Sequence, residues 1–326
     1  TPRCTHRRQR QMCIRDSSGS TLLRLILNRH PNVCVPQESW FMLPLLQRFP
    51  IDITLDQGDV TEACKTIITH RRWADFDVDA AQFLDQVLTA QVASIREIVD
   101  MFFGILCARS GKPRWGDKTP PYIRIVPELL RLYPKGKILY LVRDGRDVAK
   151  SFIDTRWHGP GVWANSQEWL DCARRFSALE NRTDLADRIL RVVYEELVSD
   201  CENVTRNICR FLGEEYHPSM LDWGAEDSLP VPDRESHAHS KLQRRPRRSD
   251  LYRWRQSSGP IRVFMLEAYM RDELTAEGYE LRHQSPLWRP VQWLTRSIAP
   301  VGDRLYRSLV WRYRKARSNS LAVPGL

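Results

Sequence analysis

The chain has 326 residues, 42% of them hydrophobic and 28% charged, an ordinary globular composition with enough apolar content for one large α/β domain or two small ones. Its formal charge of +10 sits at the ends: residues 1–16 carry five Arg and one Asp, and residues 286–326 carry seven Arg, one Lys and one Asp, so residues 17–285 sum to −1. A nucleic-acid footprint would line a face of the folded body, so nucleic acid is not the expected partner.

Residues 1–17 show no apolar period and no strand, and they read as a non-native or disordered start outside the fold. A single domain is expected over 18–285. Ser17-Ser18-Gly19-Ser20-Thr21 opens a helix with Leu22, Leu23, Ile26 and Leu27 on one face, ended by His30-Pro31. Val33 to Val35 is a short strand closed by Pro36, and Glu38 follows in a polar turn. From 79 to 110 the apolar period predicts one or two helices, stopped at Gly111-Lys112-Pro113. Lys118 lies in the loop before Pro120-Pro121 and a helix that runs to about Tyr133-Pro134.

Ile138 to Val142 is an unbroken apolar run of strand formers, the pattern of a strand buried on both faces in a parallel sheet. Asp144-Gly145 turns it into a helix carrying Val148, Ala149, Phe152 and Ile153, with Arg143 at the strand's carboxyl end, the edge where open α/β sheets bind ligands. A helix over 162–184, a strand over 189–194, a helix over 201–213 and a polar loop over 228–248 follow. This alternation predicts an α/β fold with a parallel sheet. Residues 286–326 form a basic amphipathic tail, with Leu305, Tyr306, Leu309, Val310 and Tyr313 as its apolar stripe. Packing on the domain is the favoured reading of this tail, and contact with a membrane surface is the second.

Eight cysteines without a C-x-x-C pair give neither a zinc pattern nor a compact disulfide framework. There is no run of 18 apolar residues and no signal-peptide core, so a reducing, cytoplasmic setting is expected, with a membrane-peripheral position if the tail binds lipid.

Two anion sites can be read from residue types. Ser18, Gly19, Ser20 and Thr21 put backbone N–H groups and hydroxyls at a helix N-terminus, where the macrodipole favours a phosphate. The loop lacks the Gly-Lys-Ser/Thr of a Walker A motif, which disfavours an atypical P-loop kinase. Arg143 and Ser151 could grip a second phosphate. The competing reading is that Arg143, Asp144, Arg146 and Asp147 only pair with one another on the surface. His237-Ala-His239 lacks two further spaced ligands, so no metal is expected.

The ordered set SGSTLL, HPNVCVPQES, WGDKTPPY, ILYLVRDGRDVAKSF and VVYEEL resembles the sulfotransferases that use 3'-phosphoadenosine 5'-phosphosulfate (PAPS), in particular the tyrosylprotein and bacterial carbohydrate branch, over about residues 18–260. The resemblance implies a P-loop NTPase-like three-layer sandwich with a central parallel sheet flanked by helices. It also implies transfer of a sulfuryl group from PAPS to a hydroxyl of a carbohydrate, lipid or tyrosine, releasing 3'-phosphoadenosine 5'-phosphate (PAP) without a metal. It assigns the 5'-phosphosulfate loop to Ser18, Gly19, Ser20, Thr21 and Leu22, the 3'-phosphate site to Arg143 and Ser151, and the adenine neighbour to Tyr194. Arg253, in Tyr252-Arg253-Trp254-Arg255, aligns with late contacts to the 3'-phosphate. Glu38 falls on the general base and Lys118 on the lysine that steadies the leaving oxygen. The chain departs from the family at Ser17, where a basic residue at the end of a first strand belongs. An inactive nucleotide-binding or membrane-associated protein is therefore the alternative reading.

Overall fold

The computed structural model describes residues 19–154, 161–223, 245–298 and 301. Residues 1–143 with 175–248 form one compact unit, and residues 144–174 with 249–326 form another. The first unit opens with helix α1 (Ser20–Asn28) and strand β1 (Val33–Cys34). Helices α2 (Met42–Arg48), α3 (Gln57–Ile68), α4 (Ala80–Thr89) and α5 (Ile95–Ser110) come next, followed by strand β2 (Arg114–Trp115) and helix α6 (Val126–Leu132). Strand β3 (Ile138–Val142) ends this half of the unit, and strand β4 (Ile189–Val193) with helices α9 (Tyr194–Ser199) and α10 (Cys201–Leu212) completes it. Between them lie α7 (Gly145–Asp154), in the second unit, and α8 (Val162–Glu180), which starts there and ends in the first.

Among the described residues the strands form two parallel pairs, β1 with β2 and β3 with β4. All five residues of β3 are buried, as expected for a parallel strand covered on both faces. Its register with β4 is unbroken from Ile138↔Ile189 to Val142↔Val193. The expected strand over 189–194 stops one residue early, because Tyr194 already begins α9. The expected helix over 162–184 ends at Glu180 and gives way to a 3-10 turn at Thr183–Leu185.

Helix α1 was expected to bury one face, yet Arg24 and Asn28 are buried as well as its leucines. These polar side chains serve the backbone beyond β1. The Val35 N–H donates to Asn28 Oδ1 at 3.0 Å, and Arg24 Nη1 donates to the Val35 carbonyl at 3.4 Å. They satisfy chain groups that would otherwise be orphaned next to the strand.

The long apolar segment resolves into α4 and α5. Ser94 caps α5 by accepting from the Glu97 N–H, an N-cap worth about 1 kcal/mol, while Glu97 Oε2 accepts from Ala93 N at 3.1 Å just before the cap. Gly111 ends α5 at φ 65°, the left-handed conformation that glycine tolerates. Inside, Phe103 stacks on Trp115 with ring centroids 4.1 Å apart, which locks β2 and the loop after it onto α5.

The second unit contains α7, the start of α8, α11 (Arg253–Ser257), α12 (Pro260–Ala276) and a helix α13 over residues 289–298. Its core joins Val148, Phe152, Trp169, Leu266 and Met270. Gly145 sits so close to the Trp169 indole that any Cβ there would overlap it at 2.6 Å, so this turn admits only glycine. Arg146 is buried rather than paired on the surface. Its guanidinium binds Asp144 (Nη2 to Oδ2 2.8 Å) and Glu267 (Nη1 to Oε1 2.7 Å) and lies 3.9 Å from the centre of the Trp254 ring. Trp254 returns an Nε1–H bond to Asp144 at 3.0 Å, and its backbone N–H donates to Asp147 at 2.8 Å.

Candidate active site

Parallel pairing brings the expected acid–base residues together. In β1 and β2, Val33 faces Arg114 and Cys34 faces Trp115, so both strands deliver their following loops to the same carboxyl edge. Glu38 comes four residues after Cys34 and Lys118 three after Trp115. The two loops meet there, and Lys118 Nζ makes a buried ion pair with Glu38 Oε1. Lys118 is 2% exposed and Glu38 5%, so water screens neither charge.

Three further groups hold this pair, none of them singled out by the sequence. Trp40 Nε1 donates to Glu38 Oε2 at 2.8 Å, and Arg72 Nη2 reaches the same oxygen at 3.5 Å. Trp40 has φ 61°, a conformation rare for a bulky residue, and the strain lies beside the carboxylate it holds. Beneath the pair, Asp117 accepts hydrogen bonds from Ser39 Oγ and, at 2.9 Å, from Thr119 Oγ1. Ser39 Oγ also meets Tyr122 Oη at 2.7 Å, and Thr119 Oγ1 accepts from Ser39 N at 3.0 Å. This network ties the residue after Glu38 to both neighbours of Lys118. Burial pushes the Asp117 carboxyl up to about 7, against the lowering effect of its hydroxyl donors.

A second group of expected residues gathers at the carboxyl edge of β3 and β4. Val142 faces Val193, so the next residues, Arg143 and Tyr194, leave the pair side by side. The Arg143 guanidinium lies 4.5 Å from the centre of the Tyr194 ring. The same ring packs against Gly19, the N-cap of α1 at φ 91°, where any added Cβ would run into it. Ser20 and Leu22 are buried and Thr21 is half-buried at the start of α1. The Ser20 hydroxyl is buried with no hydrogen-bond partner among the described residues. A glycine with no room for a side chain, a buried unsatisfied hydroxyl and a helix N-terminus form a cradle whose residues fit an anionic group.

The other expected residues belong to the second unit or lie outside the described residues. Ser151 is half-buried on α7 and belongs to the second unit, whereas Arg143 ends the first. Arg253 is exposed at the first position of α11. Ser18, the position of Ser17, and His237 and His239 lie outside the described residues.

Fold and site together define an α/β protein with a buried ion pair at the carboxyl edge of one parallel strand pair and an arginine and a tyrosine side by side at that of the other. The sequence model of the sulfotransferase family matches residues 16–218. This chain belongs to that family. It is 24% identical over 212 residues to the protein-tyrosine sulfotransferase of Drosophila melanogaster, a match covering 63% of this chain and 38% of that protein. It is 30% identical over 148 residues to the nodulation protein NoeE of Sinorhizobium fredii, covering 44% of this chain and 30% of that one. The chain thus spans well under half the length of these two curated relatives. Among solved structures, the sulfotransferase domain from the curacin biosynthetic pathway superimposes with a TM-score of 0.60 at 22% identity, over 85% of this chain and all of that one. That likeness fixes the fold as the P-loop-like α/β sandwich of sulfotransferases.

Proposed function

We propose that this chain transfers a sulfuryl group from PAPS to a hydroxyl of a carbohydrate, lipid or tyrosine-containing acceptor. The observation that carries the reading is the buried Glu38–Lys118 pair at the carboxyl edge of a parallel strand pair, in a chain of the sulfotransferase family. PAPS supplies the sulfuryl group and departs as PAP.

Glu38 takes the acceptor's hydroxyl proton as that oxygen bonds to sulfur and the bond between sulfur and the phosphate oxygen breaks. Lys118 neutralises the charge growing on the departing phosphate oxygen, an effect strengthened by its burial. The ion pair gives the two roles an order. While Lys118 holds Glu38 Oε1, that oxygen is engaged; a phosphosulfate competing for Lys118 frees it for the acceptor. Trp40 and Arg72 keep Oε2 in place during the exchange. Gly19, Ser20, Thr21 and Leu22 are the groups for the 5'-phosphosulfate, and Arg143 is the group for the 3'-phosphate. Tyr194 is the residue whose ring face would flank the adenine.

Incubation with sulfur-labelled PAPS and a panel of sugars, lipids and tyrosine peptides tests this reading. Label should pass to at least one acceptor, and Glu38→Gln should lower kcat at least about a hundredfold with little change in PAP affinity. PAP binding with no transfer to any acceptor would instead mark an inactive nucleotide-binding protein.

A further inference from the structure

The end of the described chain is built inside out. After a 3-10 turn at Pro286–Trp288, α13 runs over residues 289–298 against α12, and it does so with its polar side. Gln292, 3% exposed, accepts from Arg271 Nη1 at 2.8 Å. One turn on, Arg296 donates to Asp272 at 3.1 Å and lies 3.8 Å from Glu273. The opposite side carries Leu287, Val291, Leu294, Ile298 and Val301, which are 84, 45, 52, 56 and 53% exposed. Their spacing alternates four and three, which lines them up along one helical face. Trp293, 70% exposed, flanks the stripe, and Trp288 lies at its start, 42% exposed. A helix that gives its polar face to the protein and its apolar face to solvent is the reverse of ordinary packing, and a contiguous exposed patch of this kind marks a contact surface.

Charge selects the partner. Residues 286–326 hold seven Arg and one Lys against one Asp, while residues 17–285 sum to −1. A second copy of the chain would bring the same excess of positive charge and be repelled. We infer that the Leu287–Val301 face docks on an anionic lipid bilayer, lying in the interface plane with its leucines, valines and isoleucine among the acyl chains. The tryptophans then sit at headgroup level and the arginines meet lipid phosphates. Among the described residues no helix is long and apolar enough to cross a membrane, so this face is assigned to the bilayer surface.

The test is co-sedimentation of the full chain with vesicles of phosphatidylcholine alone or mixed with phosphatidylglycerol. Binding to the mixed vesicles is expected to be at least about tenfold tighter, because several basic residues meet the anionic surface together, and to weaken in high salt. Leu294→Glu with Ile298→Glu should lower it at least about tenfold while leaving the thermal melt unchanged, because both positions are exposed. Equal binding to both vesicle types, or none to either, overturns the inference. So does a dimer in sedimentation velocity that the same double variant abolishes, which would give the face to a second copy.

Discussion

Removing either member of the Glu38–Lys118 pair leaves a charge stranded in a site that is almost dry. Lys118→Met leaves the Glu38 carboxylate with Trp40 Nε1 at 2.8 Å and Arg72 at 3.5 Å, so its compensation is partial and the loss should be about 3 kcal/mol. Glu38→Gln removes the carboxylate that faces the Lys118 ammonium and should lose about 4 kcal/mol. The double variant has neither charge, and replacement of a whole buried pair is often close to neutral. It should therefore fall short of the sum of the single losses by at least about 2 kcal/mol. Urea unfolding of the four proteins, with constant m-values as the check on two-state behaviour, measures this coupling directly. Losses that add to within about 0.5 kcal/mol would mean that the two charges do not depend on each other, and the reasoning would be wrong.

Three other outcomes follow from the same geometry. Gly19→Ala combines a strained φ of 91° with a methyl group driven into the Tyr194 ring, so it should lower stability by about 1–3 kcal/mol or weaken PAP binding to a similar extent; a silent substitution there would contradict the cradle. Asp117 has its folded carboxyl raised to about 7, so the folded state holds the proton more tightly than the unfolded chain. The stability this contributes is full below about pH 4 and is lost as pH rises toward 7. Thermal melts of Asp117→Asn should accordingly gain on the native chain across that window, and parallel curves would refute the assignment. Arg146→Met strands Asp144 and Glu267 in the interior and should destabilise by about 3–5 kcal/mol in urea, against less than 1 kcal/mol if the group were a surface pair.

Much of the sheet and its edge was legible in the sequence, for a physical reason. A strand covered on both faces must be apolar throughout, so Ile138 to Val142 was placed to the residue, and the stop of α5 at Gly111 was equally plain. Arg143 could be picked out from the strand before it, whereas Glu38, Lys118 and Tyr194 were marked by the family resemblance; in the structure all four follow strands, and in parallel pairs the residues after strands converge. What could not be read was support from a distance. Arg72 reaches Glu38 from 34 positions away with no motif around it. Trp40 owes its role to a left-handed backbone that no residue-type rule assigns to tryptophan. Asp117 and Ser39 had a signal, since each adjoins a flagged residue, but burial is what turned them from solvated polar groups into a network. Burial likewise excludes the competing reading of Arg146 as a surface pair, because charge in sequence does not reveal that Trp254 and Glu267 close over it.

The most direct test of the central claim is titration calorimetry of the folded chain with PAP and, separately, with ADP, which lacks the 3'-phosphate. PAP should bind and ADP should bind far more weakly, and Arg143→Ala should reduce PAP affinity by about 1.5–3 kcal/mol through loss of a charge-assisted contact. Equal affinity for the two nucleotides, or no PAP binding by a chain with a normal unfolding transition, would contradict it.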